Sequence, residues 1–318
     1  MNTVLLLNHS TPGCGIHQDG LREIDILRDS KLVNYVYREV ESMEDFRKAE
    51  EEVNPDYLLF NWYVTTMPWL PYDLELETKA KQYFIYHDIP IRQHYYKLIL
   101  LGEGRGYTNG IVNDENSFDV DRSITIPRPL FKYTNPYKRN PIPTIGSFGL
   151  MSSWHKGFDE IVKRVNEEFD EAVINLHIAI ATFCGDSEDN SKKMIEECKR
   201  LNIKPGIKLN ITTNLLDNYE LLDLLAKNDI NMLYYRPVPN QSGLSGAVDY
   251  LLSVDRPIGV NHTEPFRHIY KEEIDYGIHS IKEIIDGGTA PIAEFHERWS
   301  TDNFRSILDR EKVLSHCF

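Results

Sequence analysis

Two stretches of this sequence place residue types at a spacing suited to holding an anion. The first reads Ile145-Gly146-Ser147-Phe148-Gly149-Leu150-Met151-Ser152-Ser153-Trp154-His155-Lys156-Gly157-Phe158-Asp159. An apolar strand pattern runs into a glycine- and serine-rich loop, then into a helical pattern with a lysine at its mouth. Backbone N–H groups and the hydroxyl of Ser147 can meet phosphate oxygens there, Gly149 allows close approach, and Lys156 adds a point charge. The GxxxxGK[ST] and GxGxxG patterns are both absent, so neither a Walker A loop nor the dinucleotide fingerprint is present. An ordinary strand-to-helix turn with a solvated lysine would read the same way.

The second stretch runs from Tyr235-Arg236-Pro237 through Asn240-Gln241-Ser242-Gly243-Leu244-Ser245-Gly246 to Asp249-Tyr250. Its small residues let an anion approach N–H groups at a helix start, where the dipole favours negative charge. Asp249 falls about one turn further in, where a carboxylate can accept hydrogen bonds from a ribose. The competing reading is N-capping by Ser245, with glycines serving close helix–sheet packing.

Both stretches must be positioned by elements, and the hydrophobic pattern supplies them. Short apolar runs alternate with helical stripes, which predicts parallel sheets covered by helices. Strands are expected at Val4–Asn8, Val33–Val40, Tyr57–Tyr63, Tyr83–His87, Gly110–Val112 and Ser123–Ile126. Helices are expected after Gly20 and over Met43–Val53. Five prolines between residues 127 and 143 then interrupt the pattern, as in an inter-domain connection. Alternation restarts with strands at Thr144–Phe148, Ala172–Ile180, Lys208–Thr212, Ile230–Tyr235 and Pro257–Asn261. Helices are expected at Gly157–Phe169, Ser191–Leu201, Asn218–Lys227, Ser245–Ser253 and Ile292–Leu314, the last in one piece or two. This reading gives an α/β protein with two Rossmann-like domains, over residues 1–135 and 136–292, and a C-terminal helical segment over 293–318.

Composition narrows the partners. The chain has 318 residues, 41% hydrophobic and 26% charged, long enough for two cores at roughly 150 residues per domain. Its formal charge is −14, which disfavours nucleic acid and anionic membrane surfaces but leaves a small anionic ligand open. Cys14, Cys184, Cys198 and Cys317 lie far apart, so neither a zinc cluster nor a disulfide framework is expected, and a reducing cytoplasm fits. Met1–Asn8 lacks a basic n-region and reads as a first strand, not a signal peptide. No apolar run nears the roughly 20 residues that span a bilayer, and an oligomer is compatible with this surface.

Taken together, "IGSFG…KGFDEIV" and "NQSGLSGAVDYLLSVDRPIGV" resemble the donor half of the GT-B glycosyltransferases, in particular the large retaining, nucleotide-sugar-dependent family. Lys156-Gly157 matches that family's Lys-Gly pair, while Gln241 and Asp249 occupy its two glutamate positions, with the seven residues Ser242 to Val248 between them. Gly13 and Gly15 fall in the loop after strand one, where the family keeps a glycine-rich loop, and His87-Asp88 resembles its His-Asp pair near the sugar. Two departures stand out: Met151 replaces an arginine, and Gln241 cannot carry charge.

The resemblance implies two domains facing a cleft, with the C-terminal helix packing back on the first. It implies sugar transfer from a nucleotide-sugar donor to a glycan or other hydroxyl acceptor, with retention and without a metal or cofactor. Lys156, His87 and Gln241 would be catalytic. Gly13, Gly15, Ser147, Gly149, Arg236, Ser242, Gly243, Leu244, Ser245 and Asp249 would bind the donor, and Arg267 is a further candidate cation. His9 or His17, flanking Gly13 and Gly15, is a candidate acceptor base. A GT-B protein that binds nucleotide sugar or glycan as an assembly partner is the alternative.

Overall fold

The computed structural model describes residues 1–63, 65–70, 76–86, 98–101, 123–126, 128–151, 154–180, 186–238 and 244–309. It divides into two compact units: Met1–Pro129 with Arg298–Phe318, and Leu130–Glu297.

Unit 1 follows the expected alternation: β1 (Asn2–Asn8), α1 (Gly15–Leu27), β2 (Val33–Glu39), α2 (Met43–Val53), β3 (Tyr57–Trp62), β4 (Lys81–Tyr86), β5 (Leu98–Leu101) and β6 (Ser123–Ile126). The strands form one parallel sheet in the order β2-β1-β3-β4-β5-β6. A parallel sheet is covered on both faces, and β1 shows why its strands read as unbroken apolar runs. Leu5 and Leu7 join Phe46 and Ala49 of α2 on one face. Val4 and Leu6 join Ile24 and Leu27 of α1 on the other. Ser42 caps α2 by accepting from the Asp45 N–H, and Asn54 ends it in the left-handed region at φ 45°.

Unit 2 repeats the plan with β7 (Thr144–Leu150), α3 (Phe158–Glu168), β8 (Ala172–Ala179), α4 (Ser187–Leu201), β9 (Ile207–Thr212), α5 (Asn218–Leu225), β10 (Ile230–Leu233), α6 (Ala247–Ser253), β11 (Ile258–Val260), α7 (Ile281–Gly287) and α8 (Ala293–Arg298). Its parallel sheet runs β11-β10-β7-β8-β9, so the strand order reverses between β7 and β10. Ligands of open α/β sheets gather at such reversals, beyond the carboxyl ends of the strands.

Several expectations need adjusting. Strand β5 and helix α7 were not foreseen, although Ser280 and Glu283 form a reciprocal capping box at the start of α7. The expected strand Gly110–Val112 lies outside the described residues. The C-terminal helix takes the two-piece form that was one of its expected alternatives: α8, in unit 2 up to Glu297, and α9 (Thr301–Asp309) in unit 1. Phe304 and Leu308 of α9 complete the core on the α1 face of the first sheet, and Ser30 donates to Asp309 at 2.8 Å. The proline-rich stretch does not run free. Arg256 donates to the Asn135 carbonyl, and Asp229 accepts from Tyr137, the Asn140 N–H and the Thr144 N–H. Side chains of unit 2 therefore satisfy backbone groups that no ladder could.

Candidate functional site

The loops leaving β7 and β10 are stitched together at the reversal point of the second sheet. Lys156 and Tyr235 form an isolated antiparallel bridge. The Gly157 N–H donates to the Tyr234 carbonyl at 2.9 Å, and the Arg236 N–H to the His155 carbonyl at 2.6 Å. Gly157 is required for this approach, because a Cβ there would stand 2.5 Å from the Tyr234 ring. The two stretches singled out by residue type thus converge.

Lys156 sits half-buried at the centre. Its ammonium lies over Gly149 and 5.5 Å from the centroid of the Tyr235 ring. Among the described residues no hydrogen bond or ion pair engages it. The other two candidate cations differ. Arg236 meets Asp159 at 2.6 Å and Glu160 at 3.6 Å, and Arg267 meets Glu264 at 3.2 Å. Burial, and next the charge of Lys156, push His155 down to about 4, so this neighbour stays neutral and adds no second charge. The arrangement leaves one uncancelled cation.

Ser147 lies within β7, buried, and lines a narrow crevice with Lys156, Gly157 and Tyr235. Ser245 is also buried. Its hydroxyl pairs with Tyr235 Oη at 2.9 Å, and its N–H donates to the Pro265 carbonyl. Helix α6 begins at Ala247 with Gly246 as its cap, so Ser245 precedes the cap instead of forming it. Leu244 leads into this turn, and Asp249 follows inside α6 with no exposed surface. His87, Gln241, Ser242 and Gly243 lie outside the described residues.

Gly13 and Gly15 belong to unit 1. Gly13 turns the loop after β1 at φ 76°, a conformation that favours glycine, and Gly15 opens α1 with open space around its Cα. His9 and His17 come together here, their rings edge to face with centroids 5.6 Å apart. His17 Nε2 lies 2.9 Å from Glu39, which also accepts from Tyr37. Burial opposes the charge of Glu39, but the hydrogen bonds from His17 and Tyr37 outweigh it and hold the carboxyl low. Burial, and next His17, lower the pKa of His9. The Thr11 N–H donates to His9 Nδ1 at 3.2 Å.

Sequence reasoning assigned no role to Tyr235, which bridges to Lys156, or to Asn261, whose side chain accepts from the Tyr235 N–H and donates to its carbonyl. The one available signal was an aromatic residue closing a strand ahead of a polar loop. An open groove of about 590 Å³ between α4 and edge strand β9 gathers no such chemistry among its described lining residues. Among the described residues, no group of three or more His, Cys, Asp or Glu is placed to hold a metal ion, and no helix is long and apolar enough to cross a membrane.

No protein-family model matches the sequence, and no curated protein matches it. Solved structures do resemble the fold over its whole length. Anabaena HepE, determined with UDP-glucose, superposes with a TM-score of 0.65 at 12% identity, covering 99% of this chain and 100% of HepE. A glycosyltransferase from Rickettsia africae gives 0.63 at 13% identity and covers 99% of each chain. A UDP-forming α,α-trehalose-phosphate synthase from Burkholderia xenovorans, solved with glucose-6-phosphate, gives 0.60 at 10% identity, covering 100% of each chain. The two parallel-sheet units are those of the GT-B fold.

Proposed function

We propose that this chain moves a sugar from a nucleotide-sugar donor to a hydroxyl acceptor, as a GT-B glycosyltransferase. The observation that carries this reading is the uncancelled ammonium of Lys156 at the strand-order reversal of unit 2. When a glycosidic bond to a diphosphate breaks, negative charge grows on the departing phosphate. A cation already in place there stabilises the transition state more than the ground state. The likeness to structures crystallised with UDP-glucose makes uridine the first base to test.

The finer chemistry follows from what surrounds Lys156. Among the described residues, Asp159 and Glu160 both face Arg236, which holds them in ion pairs instead of poising either for double displacement. Front-face transfer with retention suits this environment: the acceptor hydroxyl attacks from the side of the departing diphosphate and passes its proton to that phosphate. Lys156 then supplies the positive charge that a metal would otherwise bring. The acceptor is a carbohydrate or other alcohol, and the acidic surface and sparse cysteines suit the cytoplasm. The ion pairing of Arg236 favours, as a second reading, a donor-binding protein with weak transfer.

The test is thermal unfolding of the full chain with UDP, GDP, ADP, their glucose conjugates and NAD. One nucleoside diphosphate series should raise the unfolding temperature. Lys156→Ala should weaken that ligand about tenfold or more, the scale of a lost charge-assisted contact. No rise with any diphosphate, or a rise with NAD alone, would overturn the proposal. Release of the diphosphate in the presence of an acceptor separates transferase from binder.

A further inference from the structure

We infer that Tyr235 is a positioning residue, which holds the Lys156 ammonium ready for the diphosphate without cancelling its charge; this rests on the function proposed above. A lysine stem has many rotamers, and a wandering ammonium must be ordered when the ligand binds. A carboxylate could fix it, as Asp159 fixes Arg236, but would neutralise it. An aromatic face attracts the ammonium through its quadrupole and leaves the positive charge in place.

Tyr235 is built to act as such a fixed surface. It is 5% exposed. Asn261 clamps its backbone on both sides, accepting from its N–H at 3.0 Å and donating to its carbonyl at 2.9 Å. Its hydroxyl is tied to Ser245 at 2.9 Å, and its ring leans on Phe266 with centroids 4.7 Å apart. The ring therefore cannot retreat from Lys156. Backbone, ring and hydroxyl each have a separate anchor, and the ammonium lies 5.5 Å above the result. Phenylalanine would supply the ring alone, so the hydroxyl's anchor on Ser245 explains the choice of tyrosine.

Calorimetric titration of the full chain with UDP, or with whichever diphosphate the thermal screen selects, tests this. Tyr235→Leu removes the aromatic face and should weaken binding about tenfold. Tyr235→Phe keeps the face, loses the Ser245 tie, and should cost about threefold in binding while lowering the unfolding temperature by a few degrees. In a Lys156→Ala background either change should cost less than about twofold, because no ammonium remains to be placed. Equal losses with and without Lys156 would reduce Tyr235 to a structural residue and overturn the inference, while leaving the proposed function standing. Failure of the parent chain to bind any diphosphate overturns the function, and this inference with it. Should Tyr235→Leu not fold, the Tyr235→Phe comparison across the two backgrounds decides alone.

Discussion

Gly146→Ala is expected to destabilise unit 2 by about 3 kcal/mol or more, although it adds a single methyl group. Gly146 lies on one rung of the second sheet, where Asn231, Gly146, Asn175 and Asn210 are neighbours across β10, β7, β8 and β9. Their amides form a relay. Asn210 donates to Asn175 at 2.9 Å, Asn175 to Asn228 at 2.8 Å, Asn228 to Asn231 at 2.8 Å, and Asn231 to the Leu225 carbonyl at 3.1 Å. Asn228, from the turn before β10, occupies the room that Gly146 leaves. A Cβ at 146 would stand 1.9 Å from its Nδ2 and 2.4 Å from Asn231 Oδ1. Asn228 can yield only by breaking buried hydrogen bonds on both sides, so relaxation costs as much as the clash. Chemical denaturation of Gly146→Ala measures the loss. A variant within about 0.5 kcal/mol of the parent would show that the relay bends freely.

Glu23→Gln should change stability in the opposite direction, and by an amount that grows with pH. Glu23 of α1 has no exposed surface, and among the described residues neither carboxylate oxygen has a hydrogen-bond partner. Burial, and next the charge of Asp19, raise its pKa to about 8 against the opposing pull of Arg22 and Arg128. At neutral pH the folded chain therefore keeps a proton that the unfolded chain has released. Folded-state stability falls as pH rises from the unfolded carboxylate range to about 8, by roughly 1.4 kcal/mol per unit. Glutamine has no proton to lose. Followed by chemical denaturation from pH 5 to pH 8, the variant should gain on the parent throughout, by roughly 3 kcal/mol across that window. A difference that stays flat with pH would mean that Glu23 is ionised in the folded protein.

These two positions mark what could be read from the sequence and what could not. The alternation of strand and helix was legible because parallel strands buried on both faces are continuous apolar runs, and Leu5-Leu6-Leu7 shows the pattern directly. The convergence of the Lys156 and Tyr235 loops was legible too, since both follow strands and the reversal rule says where such loops meet. The reason that position 146 is glycine was not legible. That reason is an asparagine more than eighty residues later, whose side chain fills the room a Cβ would need. Contacts at that separation leave no local signature. Charge cancellation was equally hidden: Arg236 and Lys156 are both cations near a loop, and only the fold brings Asp159 and Glu160 to one of them. Glu23 reads as an exposed helix residue until burial withdraws it from water.

The return of α9 to unit 1 has a consequence for the order of assembly. The ribosome makes the strands of the first sheet early, but Phe304 and Leu308, which complete one face of their core, follow the whole of Leu130–Glu297. Unit 2 draws all its strands from one continuous stretch and can close while translation continues. During that interval Val4, Leu6 and Tyr83 wait on a face still missing its last helix. The earlier-made of the two units is thus completed after the later one, and its open face is where a nascent chain of this design is most exposed to chaperone capture or aggregation.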